Sequence, residues 1–269
     1  MTAPALASYQ GTLYAAFVRH NDQAVMSTSL VNGAWTEPVH LNSWVSLLPL
    51  ALAVADNKLY CAVVHTIDDT THWSAFDGST WTPVRQVPQA VQTLRAPALG
   101  VLANNNLLLS VTEPEPSHLT YDWTKGASGW SNRIEFPFQW KSPSPVGMCR
   151  IGGSLHKAIR QMDNTVSIVR EDPTTPTGFP WSRKSAPAWE TTCGPTLAEH
   201  VGWLTATTPW IFLRDADGAL RASYYKPLTL DWSLLHYVGS GGAANPIKPF
   251  DEVSAARHEG KLYVMYRRR

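Results

Sequence analysis

Five tryptophans recur along this chain at near-constant spacing, and that period constrains the fold more than any other feature. Trp35 lies in Asn-Gly-Ala-Trp-Thr, Trp81 in Asp-Gly-Ser-Thr-Trp-Thr and Trp130 in Gly-Ala-Ser-Gly-Trp-Ser. Trp181 follows in Gly-Phe-Pro-Trp-Ser and Trp232 in Leu-Asp-Trp-Ser, so the successive separations are 46, 49, 51 and 51 residues. A second marker keeps the same rhythm. Pro4-Ala5-Leu6-Ala7 leads to Gly11-Thr12-Leu13-Tyr14, Ala51-Leu52-Ala53 to Asn57-Lys58-Leu59-Tyr60, and Ala255-Ala256 to Gly260-Lys261-Leu262-Tyr263.

Each unit reads as four strands. A short apolar strand such as Ala5 to Tyr9 comes first, then a Gly or Asn turn, then a longer mixed strand such as Leu13 to Arg19. A polar hairpin follows (Asn21-Asp22, Asp68-Asp69, Asp163-Asn164, Asp217-Gly218), and it leads into a third strand, Ala24 to Leu30 in the first unit. The fourth strand opens at the tryptophan. Four antiparallel strands per period is the pattern of a propeller blade. The expected fold is therefore all-β: a single β-propeller domain over 1–269, with five full repeats near 3–49, 50–95, 96–142, 143–193 and 194–246. Residues 247–269 carry only the first two strands and are expected to form a two-stranded sixth blade. Such a blade leaves an unpaired outer edge. The expected remedy is a homodimer in which two edges cover each other.

Charge narrows the partners. With 22 basic and 21 acidic residues the net charge is +1, which argues against binding nucleic acid by phosphate neutralisation. No apolar run approaches the ~18 residues of a membrane span, so no membrane partner is expected. Cys61, Cys149 and Cys193 are too few and too widely spaced for a disulfide scaffold or a structural zinc site. Buried free thiols are expected, with Cys149–Cys193 the one pairing to test. Met1-Thr2-Ala3 runs directly into the first strand without a basic-then-apolar leader. A mature secreted form is the expected location, with the cytoplasm as the alternative.

The tryptophan turns resemble degenerate Asp boxes, the Ser-x-Asp-x-Gly-x-x-Trp turns of sialidase-like propellers; Ser74-Ala75-Phe76-Asp77-Gly78-Ser79-Thr80-Trp81 is the best match. The resemblance implies the propeller fold, with Asp77 and Trp81 fixing a turn. It does not extend to sialidase catalysis. No Arg-Ile-Pro occurs: Arg133-Ile134 is followed by Glu135, and Arg150-Ile151 by Gly152. A non-enzymatic relative is expected. The repeat style and size, and the Tyr266-Arg267-Arg268 ending, resemble the secreted iron-binding proteins of bacterial and fungal plant pathogens. Propeller lectins are the second resemblance, and they imply aromatic-lined sugar pockets.

Aligning the second strands six residues beyond the repeated leucine gives Arg19, His65, Glu113, Gln161 and Arg268, with Arg214 or Asp215 in the fifth unit. Arg160 and Arg267 lie one residue earlier in theirs. Equivalent positions on successive blades form a ring, and this one is rich in arginine. Arg19, Arg160, Arg214, Arg267 and Arg268 would hold an anion or an anionic metal complex. Ferric iron favours phenolate and carboxylate oxygen, so Tyr266 and Glu113, with His65, are the candidate metal ligands and iron the candidate cofactor. A solvated rim is the competing reading. In the carbohydrate alternative, Trp44, Trp140, Trp189 and Trp210 lie outside the tryptophan period and are candidates to stack on a pyranose; packing between blades competes with that role. His65 and His72 are seven apart across a hairpin, close enough to meet.

Overall fold

The computed structural model describes residues 2–135, 140–171, 181–184, 187–201, 207–226, 231–240 and 242–267. Six inner strands stand around one axis: Ala5–Tyr9, Ala51–Ala55, Ala98–Val101, Gly147–Ile151, Thr196–Val201 and Ser254–His258. Each packs on the next, and the sixth packs on the first, so the ring closes. Five blades are full antiparallel sheets and the sixth is a two-stranded sheet, Ser254–His258 with Lys261–Met265. The five-plus-two-strand architecture expected from the period is the one observed.

Strand order within a blade follows chain order outward from the axis. In the first blade Ala5–Tyr9 pairs with Thr12–Val18, which pairs with Ala24–Val31. The outermost strand comes in two pieces, Ala34–Trp35 and Val39–Val45, both on the third strand. Pro38 sits at the break, and proline cannot donate to a ladder. The turns between inner and second strands need left-handed backbone. Gln10 and Gly11 supply it in blade 1, and Asp56 and Asn57 in blade 2.

Two hydroxyl positions repeat with the period. The residue after four of the five periodic tryptophans accepts an N–H from the third strand: Ser29 N–H on Thr36 Oγ1 at 3.0 Å, Ala75 N–H on Thr82 Oγ1 at 3.0 Å, Thr124 N–H on Ser131 Oγ at 3.0 Å and Tyr224 N–H on Ser233 Oγ at 3.1 Å. Just before the inner strands, Ser46, Thr93, Ser142 and Thr191 are buried and close the entry turn through their hydroxyls. Each such hydroxyl satisfies a backbone group that the ladder leaves over.

The core lies in the seams between blades. Trp44 packs in the seam between blades 1 and 2, Val91 between 2 and 3, Trp140 between 3 and 4, and Trp189 between 4 and 5. These positions stand at a common distance before the buried hydroxyls, so three of the tryptophans outside the main period belong to a second one. Trp44 and Trp189 are buried, which assigns them to packing. The periodic tryptophans reach back onto the preceding blade: Trp130 meets Trp73 edge-on at 5.7 Å, and Trp232 meets Trp189 at 5.3 Å. Trp35 differs. The blade before it stops after two strands, so Trp35 is 39% exposed beside exposed Val31 and Val39.

Near the axis the inner strands crowd. A Cβ on Gly147 would sit 2.2 Å from the Pro195 carbonyl oxygen, and one on Gly194 would sit 2.7 Å from the Pro145 oxygen. Backbone meets backbone there, with no flexible side chain to yield. Gly147→Ala is expected to lose about 1–3 kcal/mol or more. A urea unfolding midpoint unchanged by the substitution would show that blades 4 and 5 can part at the axis.

All three cysteines are free thiols, as expected, and Cys149 and Cys193 are not bonded. Burial pushes the Cys193 thiol up to about 12, and the nearby Glu252 adds to the shift.

Candidate functional site

Inner strands line the axial channel, not the second strands that carry the arginine-rich positions. The channel contains a cavity of about 150 Å³ at its proline end, among Pro4, Pro49, Pro97, Pro145 and Pro195. A second cavity, of about 280 Å³, is lined by Leu52, Leu99, Met148 and Leu197, with Arg150, Glu199 and Arg257 among its polar groups.

The second strands end one step outside the channel rim, and most of the ring residues bind within their own hairpins. Arg19 pairs with Asp22 through Nε at 2.9 Å. Arg160 donates to Asn164 Oδ1 at 3.1 Å. Glu113 accepts from the Ser117 hydroxyl, and Asp215 takes Arg221 at 2.7 Å. Arg267 pairs with Asp251 at 3.1 Å and lies 3.9 Å over the Phe250 ring. Arg19 and Arg267 line a common cavity of about 100 Å³ beside Thr2 and Gln23. Arg160 and Arg214 both act on the Cys193 thiol, where Glu252 opposes them. The acids Asp251 and Glu252 therefore stand among these arginines and offset their charge. Tyr266 packs half-buried among Val264, Val253 and Phe212 of blades 5 and 6. His65 lies apart, its ring centre 4.8 Å from that of His72. Arg268 lies outside the described residues.

The seam between blades 2 and 3 has a different character. Tyr60 and Trp73 come from the second and third strands of blade 2, and Lys125 and Trp130 from blade 3. Lys125 Nζ stands 5.2 Å from the Tyr60 ring centre and 5.6 Å from that of Trp73. The Trp73 and Trp130 planes cross at 68°. Tyr60 forms a buried floor, while Trp73, Lys125 and Trp130 are half-exposed. Burial raises the Tyr60 phenol above its ordinary value, and Asp56 adds to this against Lys58. The indole N–H of Trp130 is buried without a hydrogen-bond partner. Arg133 caps the same seam, 4.6 Å over Tyr121. Aromatic rings and one cation here meet, half-exposed, along the outer part of one seam. The sequence signal was a pair of aromatics, Tyr60 and Trp73, on the two strands of one hairpin, where they become diagonal neighbours with ring centres 6.1 Å apart.

The neighbouring seam between blades 3 and 4 is polar instead. Lys157 Nζ is fully buried and donates to both Asp122 oxygens at 2.7 and 2.9 Å. Burial pushes the Lys157 ammonium down, and the attraction of Asp122 opposes that shift. Buried Glu171 crosses the same seam, accepting from the Ala103 and Leu155 N–H groups.

No protein-family model matches the chain, and no curated protein matches it in sequence. Solved structures do. A variant of the Aleuria aurantia lectin in complex with Fucα1-6GlcNAc aligns with a TM-score of 0.73 at 14% identity, over 98% of this chain and 87% of that one. The SapL1 lectin in complex with α-methyl fucoside aligns at 0.72 and 12% identity, over 99% and 89%. An α-L-arabinofuranosidase from Clostridium thermocellum aligns more loosely, at 0.53 and 13% identity, over 87% and 93%. The fold is thus a β-propeller, the fold that these lectins share.

Proposed function

We propose that this chain is a non-catalytic carbohydrate-binding propeller that takes a terminal fucose-like sugar in the seam between blades 2 and 3. The observation that carries the reading is the half-exposed group of Trp73, Lys125 and Trp130 gathered over the Tyr60 ring. A pyranose has an apolar C–H face, and a 6-deoxy sugar adds a methyl group. Both suit the faces of Trp73 and Trp130. Its hydroxyls supply acceptors for the Lys125 ammonium. The fucosides bound to the two lectin neighbours support this choice of sugar.

The seams are not equivalent. Blades 3 and 4 meet through Lys157 and Asp122, and blades 4 and 5 through the Trp189–Trp232 pair. We assign the site to the seam between blades 2 and 3. On a glycan array the protein should retain fucosylated glycans. Lys125→Ala should weaken that binding about tenfold, the loss of a charged hydrogen bond, with an unchanged melting curve. Trp44→Phe, a packing change away from the cleft, should leave binding intact. Undiminished binding by Lys125→Ala would remove the cleft from the account.

A further inference from the structure

We propose that the outer hairpin of blade 2 holds a divalent transition-metal ion through His65, Asp68 and His72. His65 follows the second strand Lys58–Val64, Asp68 sits in the turn, and His72 lies in the third strand Thr71–Phe76. The hairpin folds the three together so that one ligand atom from each lies within 4.8 Å of the others. His65 Nδ1 is 3.7 Å from Asp68 Oδ1, and His72 Nε2 is 3.2 Å from Asp68 Oδ2. Metal bonds of 2.0–2.1 Å at a tetrahedral centre put ligand atoms about 3.3 Å apart. Small rotations about the side-chain bonds close the difference.

Two further features favour an ion over a hydrogen-bonded trio. His65 Nδ1 is buried and out of hydrogen-bond reach of any partner, a lone ring nitrogen turned toward the carboxylate. The two imidazole rings lie tilted at 35° with centres 4.8 Å apart, which places two rings against one acid. Around this set, Thr70 N–H donates to Asp68 Oδ1 at 3.1 Å. Gln86 Nε2 reaches Asp68 Oδ2 at 3.4 Å and Thr70 Oγ1 at 2.8 Å. An outer layer of this kind orients a metal-ligating carboxylate.

Two imidazoles and one carboxylate select zinc, cobalt, nickel or iron(II) over calcium or magnesium, which prefer oxygen ligands. Zinc is the ion to expect, with its remaining position open to solvent or a ligand. This is a different chemistry from a ferric complex on the arginine ring: it uses His65 but neither Tyr266 nor Glu113. The site is also separate from the carbohydrate cleft.

The test is calorimetric titration of the full chain with zinc, paired with the visible absorption of cobalt. The wild type should take up one zinc, and cobalt should give the intense bands of a tetrahedral site. His72→Gln and Asp68→Asn should each weaken zinc binding at least about tenfold. Asp68→Asn keeps the acceptor for the Thr70 N–H, so the hairpin stays folded. The paired change His65→Ala with His72→Ala should abolish the stoichiometric uptake, while Lys125→Ala leaves it unchanged. Equal zinc binding by the paired variant would overturn the proposal. So would the absence of wild-type binding at roughly 100 µM free zinc, which corresponds to less than about 6 kcal/mol of affinity.

Discussion

Deleting residues 247–269 is expected to abolish cooperative folding. The sixth inner strand is the wedge that closes the ring. Ser254–His258 packs against the inner strands of blades 5 and 1. Ser254 Oγ accepts the Leu6 N–H at 3.0 Å, and His258 Nδ1 pairs with Ser8 Oγ at 2.9 Å. On the other side Thr196 Oγ1 donates to the Val253 carbonyl. Val253, Leu262, Val264 and Tyr266 cover the apolar flank of blade 5 around Phe212 and Leu220. Removing them exposes that flank and the flank of blade 1 together, along with buried hydrogen-bonding groups on both. The shortened chain should aggregate on expression or melt without a sharp transition. A soluble deletion variant with the parent melting curve would mean that five blades close by themselves.

The second large effect concerns the buried ion pair between blades 3 and 4. Asp122 and Lys157 are each 0% exposed, and the pair joins the third strand of one blade to the second strand of the next. Asp122→Asn leaves the ammonium buried without a counter-charge. The expected loss is about 3–5 kcal/mol, which lowers the melting temperature by on the order of 10 °C in a chain of this size. Replacing both residues together, Asp122→Leu with Lys157→Met, should recover most of the loss, because the buried charges are then removed as a pair. Melting curves of the three proteins settle it. A single variant as stable as the parent would mean that water reaches Lys157.

The fold was legible because each repeat carries its own punctuation. The glycine and asparagine turns, the tryptophan with its following hydroxyl and the polar hairpins are local signals, and local signals survive in sequence. The two-stranded sixth blade was legible for the same reason: Gly260-Lys261-Leu262-Tyr263 repeats the start of a unit. The seams were not legible. Lys157 meets Asp122, and Trp130 meets Trp73, across a boundary between units. The partners occupy different positions within their repeats, so aligning equivalent positions separates them. That alignment placed the ring residues at one height. It could not show that Arg19, Arg160 and Glu113 would be taken up by Asp22, Asn164 and Ser117 of their own hairpins. His65 and His72 were recoverable, because a single hairpin joins them and their spacing of seven brings two strand positions together.

The carbohydrate reading faces its most direct test in a calorimetric titration of the wild-type protein with methyl α-L-fucoside. One binding event per chain is predicted, about tenfold weaker in Lys125→Ala and unchanged when zinc is removed by a chelator. No heat at millimolar fucoside, or undiminished heat in Lys125→Ala, would contradict a sugar site between blades 2 and 3.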